Sequence, residues 1–443
     1  MKKVVCSRLK RSSLVWSLFL NIALVLITLA SQSAQAQQFN VIHYFTGGQD
    51  GANPSAGVTV DAAGNLYGTT SLGGVTGGCA GHFGAFGCGA VYKLAHRGSG
   101  WLFSPIYAFT GSADGRIPNA RVVIGPNGAL YGTTSGGNPL EGPDFGNVFS
   151  LRPAASVCKT VFCPWTQEVI YRFNGGSDGA NPQSEVAFDQ AGNLYGTAQF
   201  RGYTGDPCDN YGCGVVFELT PSNGGWTQSV LHAFHSGDGT QPLAGVVLDK
   251  DGKLYGTAHA GDGFVHEGSV YELAPSSSGW AETTLYRFKI YGDVGTQPVG
   301  GLVLDQQGSL YGATYQEGVV FKLSPSNTVW SLAVLWNFLW GGNGFGPRAS
   351  LAMDASGTLY GTTFNNGGYG FGNVFKLTPS NGGWIYTSLY DFTGGSDGAY
   401  PRSNVTFGAN GNLYGTTSYG GTGPCKKPID GYTGCGVVWE IKP

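Results

Sequence analysis

The residues able to do chemistry are few and lie far apart. Eight cysteines beyond residue 36 form four close pairs, Cys79/Cys88, Cys158/Cys163, Cys208/Cys213 and Cys425/Cys435. An even count at short separations in an exported chain reads as local disulfides, whereas zinc needs CxxC-type spacing with converging pairs. His259 with Asp262 and Glu267 is the one local acid/base grouping, and His82 and His266 are further loop histidines. No HExxH, P-loop or nucleophile elbow accompanies them, so no catalytic residue is assigned and no cofactor is expected. Asp50, Asp114, Asp178, Asp238, Asp293 and Asp397 recur beside Gly and ahead of Pro, while Asn343-Gly344 lacks the acid. A circle of carboxylates could take Ca2+, a hard cation that prefers oxygen. The competing role, in which each Asp caps its own turn, fits better because no loop concentrates several acids.

The candidate ligand contacts are therefore rings. Phe83, Phe86, Tyr203, Tyr211, Phe264, Tyr369, Phe371, Tyr419 and Tyr432 occupy Gly-rich segments, and His259 joins them. Aromatic side chains bury large area at little entropic cost, which suits stacking on sugars or anchoring peptides. The alternative is that each ring plugs its own loop.

What must position these residues is a repeat. Leu66-Tyr67-Gly68-Thr69-Thr70 returns with its tyrosine at 131, 195, 255, 311, 360 and 414, at spacings of 64, 64, 60, 56, 49 and 54. Before each copy stands a short aliphatic segment ending in a tight turn, such as Asp61-Ala62-Ala63-Gly64-Asn65. After it come a Gly-rich loop, a Gly-x-Val-aromatic segment, and a Trp-led segment. Trp101, Phe103, Tyr107 and Phe109 share one parity, which places them on one face of an extended strand. The recurring Trp reads as packing between units, and Gly68 as a place where a ring of a neighbouring sheet approaches the backbone. Four strands per repeat, repeated radially, predict a β-propeller. The last copy stops at Trp439-Glu440-Ile441 without a fourth strand, and Ile42-His43-Tyr44-Phe45 is an orphan fourth strand. Pairing the two closes a ring of seven antiparallel blades and removes exposed edges.

Composition agrees. The 443 residues include 76 Gly and 21 Pro, yet 13 % are aromatic and only 12 % charged, which excludes a disordered chain, collagen and helical solenoids. A net charge of −3 argues against nucleic acid. Lys2, Lys3, Arg8, Lys10 and Arg11 precede an apolar run from Leu14 to Ala30 and the cleavage pattern Ala34-Gln35-Ala36. Residues 1–36 are expected to be a signal peptide and 37–443 a single propeller domain. A secreted or periplasmic monomer with no membrane span after cleavage is expected; an uncleaved anchor is the competing reading of the apolar run.

The phrase N-L-Y-G-T-T, then G-G, then G-V-V-F-K-L-T-P, then W with L-Y-x-F and D-G-x-x-P, resembles the GloVer (Gloeo/Verruco) tandem repeat proteins of bacteria. The resemblance runs from about Gln38 to Pro443. It implies an exported protein of unassigned activity and carries over no catalytic residue. With the Gly-x-Val segment innermost and the Trp segment outermost, the second-to-third and fourth-to-first connections share one face, which also holds the longest loops. The expectation is a non-catalytic binding scaffold that uses this face for an extracellular glycan or protein. The alternatives are a carbohydrate-active lyase or hydrolase, and a structural envelope-associated repeat protein.

Overall fold

The computed structural model describes residues 37–442 except 75–78, 80–86, 99, 112, 137–143, 154–164, 206–207, 209, 236, 262–266, 290–293, 327–328, 339–344, 366 and 427–431. Among the described residues all regular structure is β. Blade 1 runs Thr59–Val60, Leu66–Thr70, Ala90–Arg97 and Gly100–Ala108, with spatial order equal to chain order; the Gly-x-Val strand is therefore third and not innermost as expected, because it pairs on both sides and leaves the inner edge to the short first strand. Blades 2 to 6 repeat the meander. Blade 7 takes Thr406–Phe407, Leu413–Thr417 and Val437–Lys442, and is completed by Gln38–Tyr44 from the other end of the chain. Gln38 pairs with Lys442, Val41 with Trp439 and Tyr44 with Val437, all antiparallel. The protein is a seven-bladed β-propeller closed by its N-terminal strand.

Blade 6 departs from four strands. Among the described residues, the fourth-to-first connection touches the second-to-third connection through a single bridge in five blades, as at Ala52 and Leu72. In blade 6 that bridge lengthens into an extra strand, Phe345–Pro347, because the second strand extends to Asn365. These contacts hold both connections on one face, as predicted.

Each recurring residue has a packing job. Gly196 lies opposite Phe217 in register, and a methyl group there would stand 2.6 Å from that ring. The ring over the glycine therefore comes from the adjoining strand of the same sheet, not from a neighbouring sheet, because register pairs the two positions. The phrase tyrosine reaches back to its turn: Tyr67 Oη donates to Asp61 Oδ2 at 3.0 Å, and Asp61 also accepts from the amides of Ala63 and Asn65. Tyr195/Asp189, Tyr255/Asp249, Tyr311/Asp305 and Tyr360/Asp354 repeat the bond at 3.1 to 3.2 Å.

Between blades the core is a set of seams. Trp165, Trp226, Trp280, Trp330 and Trp384 each pack against the phrase tyrosine of the preceding blade, with centroids 6.1 to 6.4 Å apart. Aromatic pairs of this kind add about 0.5–1.5 kcal/mol each beyond their area burial. A second bond crosses the same seams. Thr69 Oγ1 donates to the carbonyl of Ala120 in the next blade, and Thr416 Oγ1 does so to Ala56, joining blade 7 to blade 1.

Disulfides join Cys79 to Cys88, Cys208 to Cys213 and Cys425 to Cys435. Cys158 and Cys163 lie outside the described residues. Three disulfides fit an oxidising compartment. Among the described residues no helix is long and apolar enough to cross a membrane.

Candidate functional site

The Asp-Gly turns lead the chain from each outer strand into the next blade. Asp397 accepts from Thr393 N at 2.7 Å, Thr393 Oγ1 at 2.6 Å and Tyr390 Oη at 3.0 Å. Asp114 and Asp178 bind their own turns and outer strands in the same way, and Asp238 takes His232 Nε2 at 2.8 Å. Asp293 and Asn343-Gly344 lie outside the described residues. Among the described residues no three His, Cys, Asp or Glu side chains gather where a cation could sit. Gly175–Gly179 and Gly394–Gly398 spell GxSxG, but both are these strand-to-strand turns, with no helix after them.

After the turn the backbone takes an unusual step. Asn53, Ile117, Asn181, Gln241, Gln297 and Tyr400, each just before a proline, have φ of 55 to 62°. Left-handed backbone is uncommon outside glycine, and proline further restricts its predecessor. The conformation is held from both sides. Tyr400 N donates to Phe371 O at 2.8 Å in the preceding blade, and Tyr400 O accepts from Ser418 N in its own. The other five make the same two bonds. Strain held by its surroundings in this way is a frequent property of ligand-facing backbone.

This geometry builds a rim from three positions per blade: the residue before the proline, the residue after it, and the residue following the repeated phrase. The residues after the proline are Ser55, Asn119, Gln183, Leu243, Val299, Arg348 and Arg402, and all seven line one cavity on the ring axis, of about 120 Å3. That is below the roughly 300–1,000 Å3 of a drug-sized pocket and suits the end of a molecule.

The rim divides into sectors. On blades 1 to 3 it is a self-satisfied amide network: Gln183 Nε2 donates to Asn181 Oδ1 at 2.6 Å and Gln199 Oε1 at 2.5 Å. Glu185, the single carboxylate lining the cavity among the described residues, is paired with Arg121 at 2.7 Å. Leu243 and Val299 form a short aliphatic arc. Blades 5 to 7 carry rings and cations. The Arg348 guanidinium lies 3.9 Å from the Tyr315 ring centroid and 4.5 Å from that of Phe364, and Arg402 lies 4.8 Å from Phe364. Phe364 packs on Tyr400 at 5.2 Å, Tyr400 on Tyr432 at 4.5 Å, and Tyr432 on Tyr419 at 4.8 Å. Phe371 completes the group against Tyr400 at 5.7 Å. Burial first, and then the like charge of Arg348, pull the Arg402 guanidinium below its ordinary pKa. Burial raises the Tyr400 phenol, with Tyr432 adding to the effect.

Of the residues expected from sequence, Phe371, Tyr419 and Tyr432 come together here. His259 stands on the same rim in blade 4, its amide bonded to Gln241 O. Tyr203 meets His235 edge-on, Tyr211 lies against Phe200, and Tyr369 is 63 % exposed outside the group. Phe83, Phe86 and Phe264, with His82, His266 and Asp262, lie outside the described residues. Sequence reasoning missed Tyr315, Arg348, Phe364, Tyr400 and Arg402. Their signal was present in the repeat itself: the columns flanking each proline and following each phrase vary between copies, while the Leu-Tyr-Gly phrase and the Val-aromatic-x-Leu/Ile pattern do not.

The family model of the Gloeobacter/Verrucomicrobia repeat matches residues 78–318 and 204–427. No curated protein matches the sequence. Among solved structures the chain is similar to a hypothetical selenium-binding protein from Sulfolobus tokodaii, at 12 % identity and TM-score 0.48, covering 70 % of this chain and 77 % of that one. It is also similar to the PQQ-bound aldose sugar dehydrogenase of Streptomyces coelicolor, at 11 %, 0.42, 92 % and 98 %. A gluconolactonase of Xanthomonas campestris gives 14 %, 0.37, 67 % and 78 %. These likenesses are too distant to transfer a ligand or an activity.

Proposed function

The chain belongs to the Gloeobacter/Verrucomicrobia repeat family, and we propose that it is an exported, non-catalytic binding scaffold whose ligand, a glycan or a peptide, seats on the rim of blades 5 to 7. The observation that carries this reading is the asymmetry of an otherwise seven-fold rim. The Leu-Tyr-Gly phrase and the Val-aromatic-x-Leu/Ile pattern of the third strand recur in every blade, as a structural ring requires. The rim positions differ, and Tyr315, Arg348, Phe364, Tyr400, Arg402, Tyr419 and Tyr432 crowd one side. Functional residues concentrate on connections held by a rigid scaffold, and rings with arginines are the side chains that contribute most to recognition. The pairing of Glu185 with Arg121 leaves this side of the cavity with cations and phenols, a set better suited to binding than to acid/base work.

The test is a glycan and peptide array probed with purified residues 37–443, followed by the paired variant Y419A/Y432A. Binding that the variant weakens at least tenfold supports the reading. Absence of any binding above background at high micromolar concentration contradicts it and favours a purely structural envelope protein. Turnover of a bound glycan would favour the lyase or hydrolase alternative.

A further inference from the structure

Resting on that reading of the rim, we propose that Arg348 and Arg402 are an anion-recognition pair for an acidic saccharide, taking its carboxylate or sulfate ester while Tyr400, Tyr419 and Tyr432 carry the sugar ring. Two other arginines on this face have carboxylate partners. Arg121 is paired with Glu185 at 2.7 Å, and Arg116 with Asp144 at 2.8 Å. Arg348 and Arg402 have no carboxylate within ion-pair distance among the described residues, and the Nε of each is buried with no hydrogen-bond partner. Both line the axial cavity, and both stand over the Phe364 ring. Two neighbouring guanidiniums, half out of water and without a counter-ion, are held by ring contacts that only partly offset their desolvation and mutual repulsion.

An anion placed between them would relieve both costs at once. A guanidinium offers a planar fork of donors, and a carboxylate or sulfate oxygen pair accepts from it with fixed geometry. The Nε donors are the missing half of such bonds. Asn404 and Ser350 line the same cavity and supply neutral polar groups for hydroxyls. The cavity of about 120 Å3 admits a terminal acid group but not a long chain. Next to it, Tyr400, Tyr419 and Tyr432, with centroids 4.5 to 6.1 Å apart, form a half-buried aromatic surface. Such a surface suits the C–H face of a pyranose. A free inorganic anion would use the arginines and ignore the rings, so the contiguity of the two points to a sugar that bears its own charge.

The experiment measures binding of three oligosaccharide sets of equal length, uronate, sulfated and neutral, to residues 37–443 and to the variants R348Q/R402Q, R402K and Y419A/Y432A. Thermal melting checks that each variant folds; R402K serves if the double variant does not. The expected result is uronate or sulfated binding at least tenfold tighter than neutral, weakening as salt rises from 50 to 500 mM, lost in R348Q/R402Q and reduced in R402K. Whichever acidic set binds assigns the acid group. Equal binding of neutral and acidic sets, unchanged in R348Q/R402Q but lost in Y419A/Y432A, overturns the anion pair and keeps the rim as the binding site. A positive peptide array with all three sugar sets silent also overturns the proposal alone, whereas silence of every probe overturns the scaffold reading with it.

Discussion

Trp101 in the outer strand of blade 1 stands edge-on against Tyr414 in the second strand of blade 7, with ring centroids 5.8 Å apart. The pair is the closing seam of the ring, and it copies the internal seam of Tyr131 and Trp226 at 6.1 Å. A closed ring makes the two seams equivalent. W101A and W226A should therefore each lower the unfolding free energy by about 2–4 kcal/mol, measured by urea denaturation. A W101A cost near zero beside a full W226A cost would mean that the seam is open in solution. A disulfide engineered as Q38C/K442C, across the register pair at the ends of the closing strands, should form spontaneously and raise the melting temperature.

Gly196 is required by the Phe217 ring above it, and Gly224 by nothing, since no atom lies within 4 Å of a methyl group placed there. G196A should cost about 1–3 kcal/mol through overpacking, and G224A should be close to neutral. Equal effects in thermal melting would show that the glycine of the repeated phrase serves backbone freedom, not ring packing.

Many of the tyrosines are buried or bonded to an acid. Burial and then the charge of Asp354 push Tyr360 up to about 12, and burial pushes Tyr386 up to about 12 as well. The unfolded chain releases these protons near pH 10. Between pH 10 and 12 it therefore holds fewer protons than the folded one, and stability must fall as pH rises. The contribution is intact below pH 10 and is lost as pH passes through about 12. Urea midpoints at pH 8, 10 and 11.5, with absorbance at 295 nm, should show a constant midpoint followed by a decline. Phenolate absorbance that rises fully near pH 10 with the fold intact would contradict these environments.

The fold was legible because its signals are local and repeated seven times. Parity placed Trp101, Phe103 and Tyr107 on a strand, but not all on one face as expected: a β-bulge opposite Val91 and Tyr92 flips the alternation, so Trp101 and Phe103 pack with Tyr92 and Leu94 while Tyr107, with Phe109 just past the strand end, packs with Val91 on the other side. The orphan segment around Tyr44 matched the missing partner of Val437. The site was legible only in part. Tyr419, Tyr432 and Phe371 stood out as rings in Gly-rich loops. Arg348, Arg402 and Tyr400 did not, because they lie in short proline turns that look structural. What makes them a group is convergence around the axis. Arg348 and Arg402 are neighbours through adjacent blades, a relationship that no spacing within one repeat encodes. The partner strand over Gly196 was misplaced for a related reason, since a glycine in a strand announces a close approach without saying whose.

Cys425–Cys435 ties down the segment that carries Tyr432, and Cys435 itself packs with Phe45 and Tyr92 in the core. A loop this short contributes about 2–3 kcal/mol in the chain-entropy view. The C425S/C435S pair should lower stability by no more than that while weakening rim binding severalfold, because Tyr432 loses its fixed place beside Tyr400 and Tyr419. Unchanged affinity in a folded variant would remove Tyr432 from the contact set.

The most direct test of the rim as the binding site is hydrogen–deuterium exchange of residues 37–443 with and without a saccharide or peptide that binds. Protection should be confined to the segments around Tyr315, Arg348, Phe364, Tyr400–Asn404 and Tyr419, leaving blades 1 to 3 unchanged. Protection spread evenly over seven blades, or centred on the Asp61-type turns of the opposite face, would contradict it.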